Sequence, residues 1–226
     1  MIYRVYHQAL KCSGLDRVVV ATDDERIARE VRNWNGEVVM TSPDHGSGTE
    51  RCLEALEKLD PEKKVELVVN IQGDEPFIHP ESISEVLLLF ENQQADIGTL
   101  YKRIDSPDDL HDPNVVKVVL GEGGRALWFS RAPVPYQRER PVADWLDGFN
   151  YYRHIGLYAY RSGVLRQITK LPVAEPERAE KLEQLRWLVH GMTIFTAESE
   201  FDSLSVDTPE DLEKINILLD SGRVKS

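Results

Sequence analysis

The chain has 226 residues, with 27 Lys and Arg against 39 Asp and Glu and a formal charge of −12. That length suits one large domain, and 41% hydrophobic with 29% charged residues supply a full core, which excludes a disordered chain. The acidic balance repels nucleic acid and anionic membrane surfaces, so neither is expected as a partner. An anionic small molecule stays admissible where local Arg residues or a divalent cation reverse the field. Cys12 and Cys52 are the only cysteines; they offer no zinc or disulfide spacing and suit a reducing compartment. The longest unbroken apolar run, Val86–Phe90, is far short of the roughly 18 residues that span a bilayer. Nothing at the N-terminus reads as a signal peptide, so a soluble, cytoplasmic protein is expected.

The first half alternates helical and strand patterns. Residues 1–13 place Ile2, Val5, Tyr6 and Ala9 on one face and predict a helix stopping at Gly14. The run RVVVAT (17–22) predicts a strand buried on both sides. A helix follows over 24–35, with Ile27, Val31 and Trp34 in step, ending at Gly36. After a short strand at 37–40, a helix over 47–59 turns Cys52, Leu53, Leu56 and Leu59 inward. LVVNI (67–71) reads as a second buried strand, and Pro80 opens a helix over 80–92 whose stripe is Ile83, Val86, Leu87 and Phe90. Strands alternating with helices of this length predict βαβ units and a largely parallel sheet.

The middle changes character. Segments 96–103, 115–120 and 126–130 read as strands, the last two joined as a hairpin through Gly121-Glu122-Gly123-Gly124. A proline-rich loop occupies 133–150, then a strand at 154–160 and a short helix from Ser162. One helix is expected over 176–190, a strand over 193–197, and a closing helix over 209–219. The whole reads as a single α/β domain over 1–226, a Rossmann-like three-layer fold with a mostly parallel central sheet and a mixed-strand insertion at about 96–160.

Two acidic strings stand out. Gln72-Gly73-Asp74-Glu75-Pro76 follows a strand directly, and open parallel sheets bind ligands beyond the carboxyl ends of their strands. Gly73 turns the backbone and Asp74 projects at the tip, a hard oxygen donor suited to Mg²⁺; the plainer reading is a turn in which Asp74 caps amides. In Val206-Asp207-Thr208-Pro209-Glu210-Asp211, helix-start preferences account for every residue from Thr208 onward but not for Asp207. Alone that string is a cap; paired with Asp74 it offers two carboxylates to one metal.

Asp44-His45-Gly46-Ser47-Gly48-Thr49-Glu50-Arg51 opens a helix with a Ser47/Glu50 capping box, and its glycines admit close approach by a ligand. It lacks the lysine of a P-loop, which disfavours phosphate binding of that type. Arg131 ends one strand, where its two-pronged guanidinium suits a carboxylate. His154 near the start of another reads equally as a structural histidine. Glu183 and Gln184 read as a solvated helix face unless something binds there.

In this order, VVVATDDERIA, SGTERC, VVNIQGDEPFI, PNVVKVVL, ALWFSRAPVPY, RHIGLYAYR, KLEQLR and VDTPEDLEKI resemble the CMP-Kdo synthetase family, the 3-deoxy-manno-octulosonate (Kdo) cytidylyltransferases, from Met1 to about Ile215. The resemblance implies the reaction CTP + Kdo → CMP-Kdo + pyrophosphate, supplying a lipopolysaccharide precursor, with Asp74 and Asp207 as catalytic ligands of Mg²⁺. It implies that Ser47, Gly48, Thr49 and Arg51 contact the nucleotide. It further implies that Gln72, Arg131, His154, Tyr158, Glu183 and Gln184 contact the sugar, with Arg131 on its carboxylate, and that the protein is a homodimer whose interface lies in the 96–160 part. The family also carries, ahead of the position matching Met1, a first strand and a basic loop around the triphosphate; no such string occurs here. A gap between RVVVAT and LVVNI, weak CTP binding and little turnover are therefore expected of the chain as it stands. Two other readings stay open: a sugar- or nucleotide-binding protein without turnover, and a cytidylyltransferase for another sugar acid.

Overall fold

Eight strands and nine short helices follow one another from the N-terminus in the computed structural model, which describes residues 1–201 together with Val206 and Glu213. Asp207 and the closing helix expected at 209–219 lie outside the described residues. In order these elements are α1 (Ile2–Ala9), β1 (Val20–Thr22), α2 (Glu25–Asn33), β2 (Val38–Met40), α3 (Gly48–Leu59), β3 (Leu67–Asn70), α4 (Pro80–Leu88), β4 (Ile97–Arg103) and α5 (Pro107–His111). There follow β5 (Lys117–Leu120), β6 (Ala126–Ser130), α6 (Trp145–Gly148), β7 (Tyr152–Arg161), α7 (Ser162–Ile168), α8 (Glu175–Glu180), α9 (Gln184–Val189) and β8 (Ile194–Glu198).

The local signals act as their chemistry predicts at α2 and α3. The Asp24 carboxylate accepts from the Arg26 amide at 2.7 Å, and the Ser47 hydroxyl from the Glu50 amide at 3.3 Å. The Glu50 side chain reaches back to the Gly46 amide at 2.8 Å, one residue beyond the one that a standard capping box would satisfy. Helix ends differ from expectation. Helix α1 stops at Ala9, with Leu10 still right-handed, so Gly14 is not its cap. At the end of α2 it is Asn35, with φ 58°, that enters the left-handed region, and Gly36 does not.

The long helix expected over 176–190 is two helices. Lys181 adopts a left-handed conformation (φ 54°, ψ 44°) and separates α8 from α9. No glycine or proline marks the break. What holds it is tertiary: the Arg186 guanidinium grips both Glu177 oxygens, at 2.5 and 2.8 Å, across the turn, and Leu182, Leu185 and Trp187 are buried behind it.

Strand pairing is mixed. Strands β1–β2 and β4–β8 run parallel, whereas β7 is antiparallel to β3, β4 and β5. The insertion is thus built into the sheet: one edge of β7 pairs with β4 along its length, and the other pairs first with β5 and then with β3. Opposite Thr99 and Leu100 the register of β7 jumps from Tyr158 to Ile155, so Gly156 and Leu157 bulge out of the ladder. Helices cover both faces. One apolar cluster joins α1 and α4 to the sheet through Val5, Ile83, Val86 and Leu157; the other joins α3, α7 and α9 through Leu56, Leu165, Leu185 and Trp187. The three layers are as expected, but the larger sheet is not mostly parallel: among its described pairings only β4–β8 is parallel, because β7 runs against each of its neighbours.

The strand pair β1–β2 does not join the larger sheet. Residues 18–21 and 67–73 instead line a cavity of about 1070 Å³, together with Val5 and Ala9 of α1 and Cys52 and Leu56 of α3. Both strands are shorter than expected, and β3 is mostly half-buried, whereas in β1 Val20 and Thr22 are buried and only Ala21 is half-buried.

Candidate functional site

The site grows from three structural irregularities: the turn after β3, the bulge in β7 and the break between α8 and α9. The turn after β3 is closed by the Glu75 amide on the Gln72 carbonyl at 3.4 Å and leads into Asp74. The Asp74 carbonyl accepts from the amide of Val206 at 2.9 Å. That bond joins the two acidic strings, distant in sequence, because Val206 immediately precedes Asp207. Among the described residues no group of three or more His, Cys, Asp or Glu side chains forms a metal site.

Helix α3 begins beside this turn. A Cβ placed on Gly48 would stand 3.3 Å from the side-chain nitrogen Nδ2 of Asn70 and 3.6 Å from Nε2 of Gln72, so the glycine lets the helix start lie against side chains at the tip of β3. The same start is tied to α9: the Ser47 and Thr49 hydroxyls donate to the two oxygens of Glu183, at 3.2 and 2.7 Å. Burial pushes the Glu183 carboxyl above its ordinary range, and the two hydroxyls oppose that by favouring the charged form. Glu183 is therefore not on a solvated face. Arg51 points elsewhere, pairing with Asp23 at 3.1 Å and donating to the Thr41 hydroxyl at 2.6 Å. One end of the large cavity is lined by Ser47, Gly48, Arg51, Gln72 and Gly73.

Arg131 is held by main chain. Its Nε donates to the Glu180 carbonyl at 2.6 Å and its Nη1 to the Pro113 carbonyl at 2.8 Å. The Glu180 carboxylate in turn accepts from the Arg131 amide at 2.5 Å and from the Ser130 hydroxyl at 2.9 Å. In a continuous helix Glu180 and Glu183 would share a face; the break at Lys181 sends one to Arg131 and the other to Ser47 and Thr49. Beneath Arg131 lies Lys117, 1% exposed, whose ammonium donates to the carbonyls of Asp112 (2.6 Å) and Arg131 (3.1 Å). Burial lowers its pKa.

His154 and Tyr158 meet across the bulge with ring centroids 5.2 Å apart, and Trp187 of α9 packs edge-on to Tyr158 at 5.3 Å. His154 Nε2 lies 2.9 Å from the hydroxyl of Thr99, a fully buried residue of β4. Desolvation pushes the His154 pKa down to about 3, which favours the neutral ring. The Tyr158 hydroxyl is buried without a hydrogen-bond partner among the described residues, and burial with the nearby Tyr160 and Glu183 carries its pKa well above the usual phenol value. An unsatisfied buried hydroxyl of this kind is what a polar ligand would satisfy. Gln184 is buried next to Glu183.

Sequence reading missed Thr99, Lys117 and Glu180. Thr99 and Lys117 carried one signal, a polar side chain inside an otherwise apolar strand; Glu180 carried none. Of the expected residues, the structure joins Ser47 and Thr49 to Glu183, His154 to Tyr158, Gly48 to Gln72, and Asp74 to the residue before Asp207. Arg51 lines the same cavity as Ser47, Gly48 and Gln72 while its guanidinium pairs with Asp23.

A cytidylyltransferase family model matches residues 1–194. A 3-deoxy-manno-octulosonate cytidylyltransferase of Parabacteroides distasonis is 48% identical over 218 residues, 95% of this chain and 85% of the relative. Its counterpart in Thermodesulfovibrio yellowstonii is 43% identical over 217 residues, 94% of this chain and 85% of the relative. A solved CMP:2-keto-3-deoxy-manno-octonic acid synthetase complexed with CTP superposes with a TM-score of 0.88 at 38% identity, covering 98% of this chain and 88% of that one. A 4-diphosphocytidyl-2C-methyl-D-erythritol synthase from Anaerococcus prevotii, at TM-score 0.62 and 13% identity over 97% of this chain and 88% of its own, shares the fold alone. The tied loop and helix, the mixed sheet and these matches along nearly the whole length lead to one statement: the chain belongs to the cytidylyltransferase family.

Proposed function

We propose that this chain transfers CMP from CTP to Kdo, forming CMP-Kdo and pyrophosphate for lipopolysaccharide precursor synthesis. The anomeric oxygen of the sugar bonds to the α-phosphorus, the bond to the pyrophosphate oxygen breaks, and the hydroxyl proton leaves to solvent. The observation that carries the reading is the double hydrogen bond of Ser47 and Thr49 to Glu183, since it locks the start of α3, assigned to the nucleotide, to the helix assigned to the sugar. Two substrates bound on either side of that contact are held in reacting geometry.

Each residue then has a task. Ser47, Gly48, Thr49 and Arg51 form the cytidine side, with Gln72 at the strand tip between the substrates. Arg131, its Nε and Nη1 fixed by carbonyls, offers its remaining N–H groups to the sugar carboxylate. His154, Tyr158, Glu183 and Gln184 take sugar hydroxyls. Asp74 and Asp207 would hold Mg²⁺, which when bound neutralises charge on the phosphates. The protein works as a homodimer in the cytoplasm. Exposed Leu127, Tyr136, Val142 and Phe149 within 96–160 supply an apolar face for the partner, and both cysteines are free thiols.

The test is pyrophosphate release from CTP with Mg²⁺ and a panel of sugar acids, beside calorimetry of each substrate. Release with Kdo above the rest of the panel is expected. Preference for another acid would reassign the substrate, and Kdo binding without release would make this a binding protein.

A further inference from the structure

The bulge in β7 has a single polar anchor. A strand rises about 3.3 Å per residue, so side chains four positions apart stand about 13 Å apart along a regular strand; the rings of His154 and Tyr158 are 5.2 Å apart. Gly156 and Leu157 take up the surplus chain, and the Thr99 hydroxyl collects the groups that this exposes: the Leu157 carbonyl at 2.8 Å, the Ile155 carbonyl at 3.1 Å and His154 Nε2 at 2.9 Å.

These three contacts fix a proton. A hydroxyl has one hydrogen and two lone pairs. Carbonyl oxygens only accept, and giving the Thr99 hydrogen to Leu157, the nearer of the two, relieves the closest oxygen–oxygen contact, whereas giving it to His154 would leave both carbonyls facing lone pairs. Toward His154 the hydroxyl can then only accept, which requires Nε2 to carry hydrogen. The ring is neutral, so its second nitrogen, Nδ1, carries none. Among the described residues Nδ1 has no hydrogen-bond partner.

We propose that Thr99 is a positioning residue for the sugar site, holding His154 as the Nε2-protonated tautomer so that Nδ1 accepts a hydrogen bond from a hydroxyl of the sugar acid. The tautomer rests on the Thr99 contacts together with a neutral ring; its use rests on the reading of His154 as a sugar contact. Asparagine or glutamine could not replace the ring on these terms without placing a second donor in the apolar surroundings of Phe129 and Tyr158.

The experiment is the long-range ¹H–¹⁵N spectrum of the ¹⁵N-histidine-labelled full chain, with the His154 signals assigned by their loss in His154→Gln, beside steady-state kinetics. Nε2 should show the pyrrole-type and Nδ1 the pyridine-type signal. Thr99→Val, equal in shape but without the hydroxyl, should lose the single tautomer and raise KM for Kdo about tenfold while leaving KM for CTP and kcat near their starting values, the size expected for one hydrogen bond. Thr99→Ser should restore both. A protonated Nδ1 in the parent chain, or an unchanged spectrum in Thr99→Val, overturns the proposal. A changed tautomer with an unchanged KM for Kdo removes His154 from the sugar site and overturns the underlying reading instead.

Discussion

His154 shows what burial does to a single group. Its pKa lies near 3 against an ordinary value of 6.5, so the unfolded chain takes up a proton at mildly acid pH that the folded chain refuses. With the folded pKa depressed, the histidine's contribution to stability is intact above about 6.5 and is lost as pH falls toward about 3. Denaturant midpoints measured across that window should decline with acidity, and His154→Gln should flatten part of the decline; an unchanged slope would place the ring in water. Glu183 carries the opposite shift. Its pKa is raised by burial, and the Ser47 and Thr49 hydroxyls need it ionised to donate to it. Kdo affinity should therefore weaken as pH drops through that raised value, and calorimetry of Glu183→Gln should show weaker binding with this pH dependence gone. Neither shift is legible in a sequence, because the burial behind it comes from strands and helices far away in the chain. What the sequence does show is the residue types: an Asp after a strand, a Ser and Glu three apart, an Arg at a strand end.

At the scale of elements, the break between α8 and α9 decides the site. A left-handed lysine costs about 1–2 kcal/mol relative to a right-handed one, and the Arg186–Glu177 pair with the buried Leu182, Leu185 and Trp187 outweighs that cost. Lys181→Gly should remove most of the strain and raise stability by about 0.5–1 kcal/mol in denaturant unfolding, at unchanged KM for Kdo; a loss of stability would mean that the turn is not held by its surroundings. The apolar spacing of 176–190 suited one helix because periodicity reports which residues face inward, and these two helices keep their apolar faces inward on both sides of the turn. Capping chemistry located the start of α3 for the opposite reason: there the signal and its cause lie within four residues. The pairing of β7 with three strands is set by contacts across the whole chain and leaves no local pattern.

For the whole molecule, helices lie on both faces of a mixed sheet, and a cavity of about 1070 Å³ parts β1–β2 from the six-stranded sheet. Among the described residues β1 pairs only with β2 and β3 only with β7, so each has one edge without a strand beside it. Hydrogen exchange should thus be fast in β1 and β2 and slowest in β4 and β7, which pair over seven residues of β4; equal protection throughout would contradict the separation. A net charge of −12 disfavours polyanions in general, and the same field makes local cations necessary for a triphosphate. The central claim is that the two acidic strings work together, as the bond between the Asp74 carbonyl and the Val206 amide brings them together. Its most direct test is Mg²⁺-dependent pyrophosphate release from CTP and Kdo by the parent chain, Asp74→Asn and Asp207→Asn under identical conditions. Each variant should lose about 10²–10³-fold in rate, with the double variant little worse than either. Parent-like rates in both single variants would contradict the account.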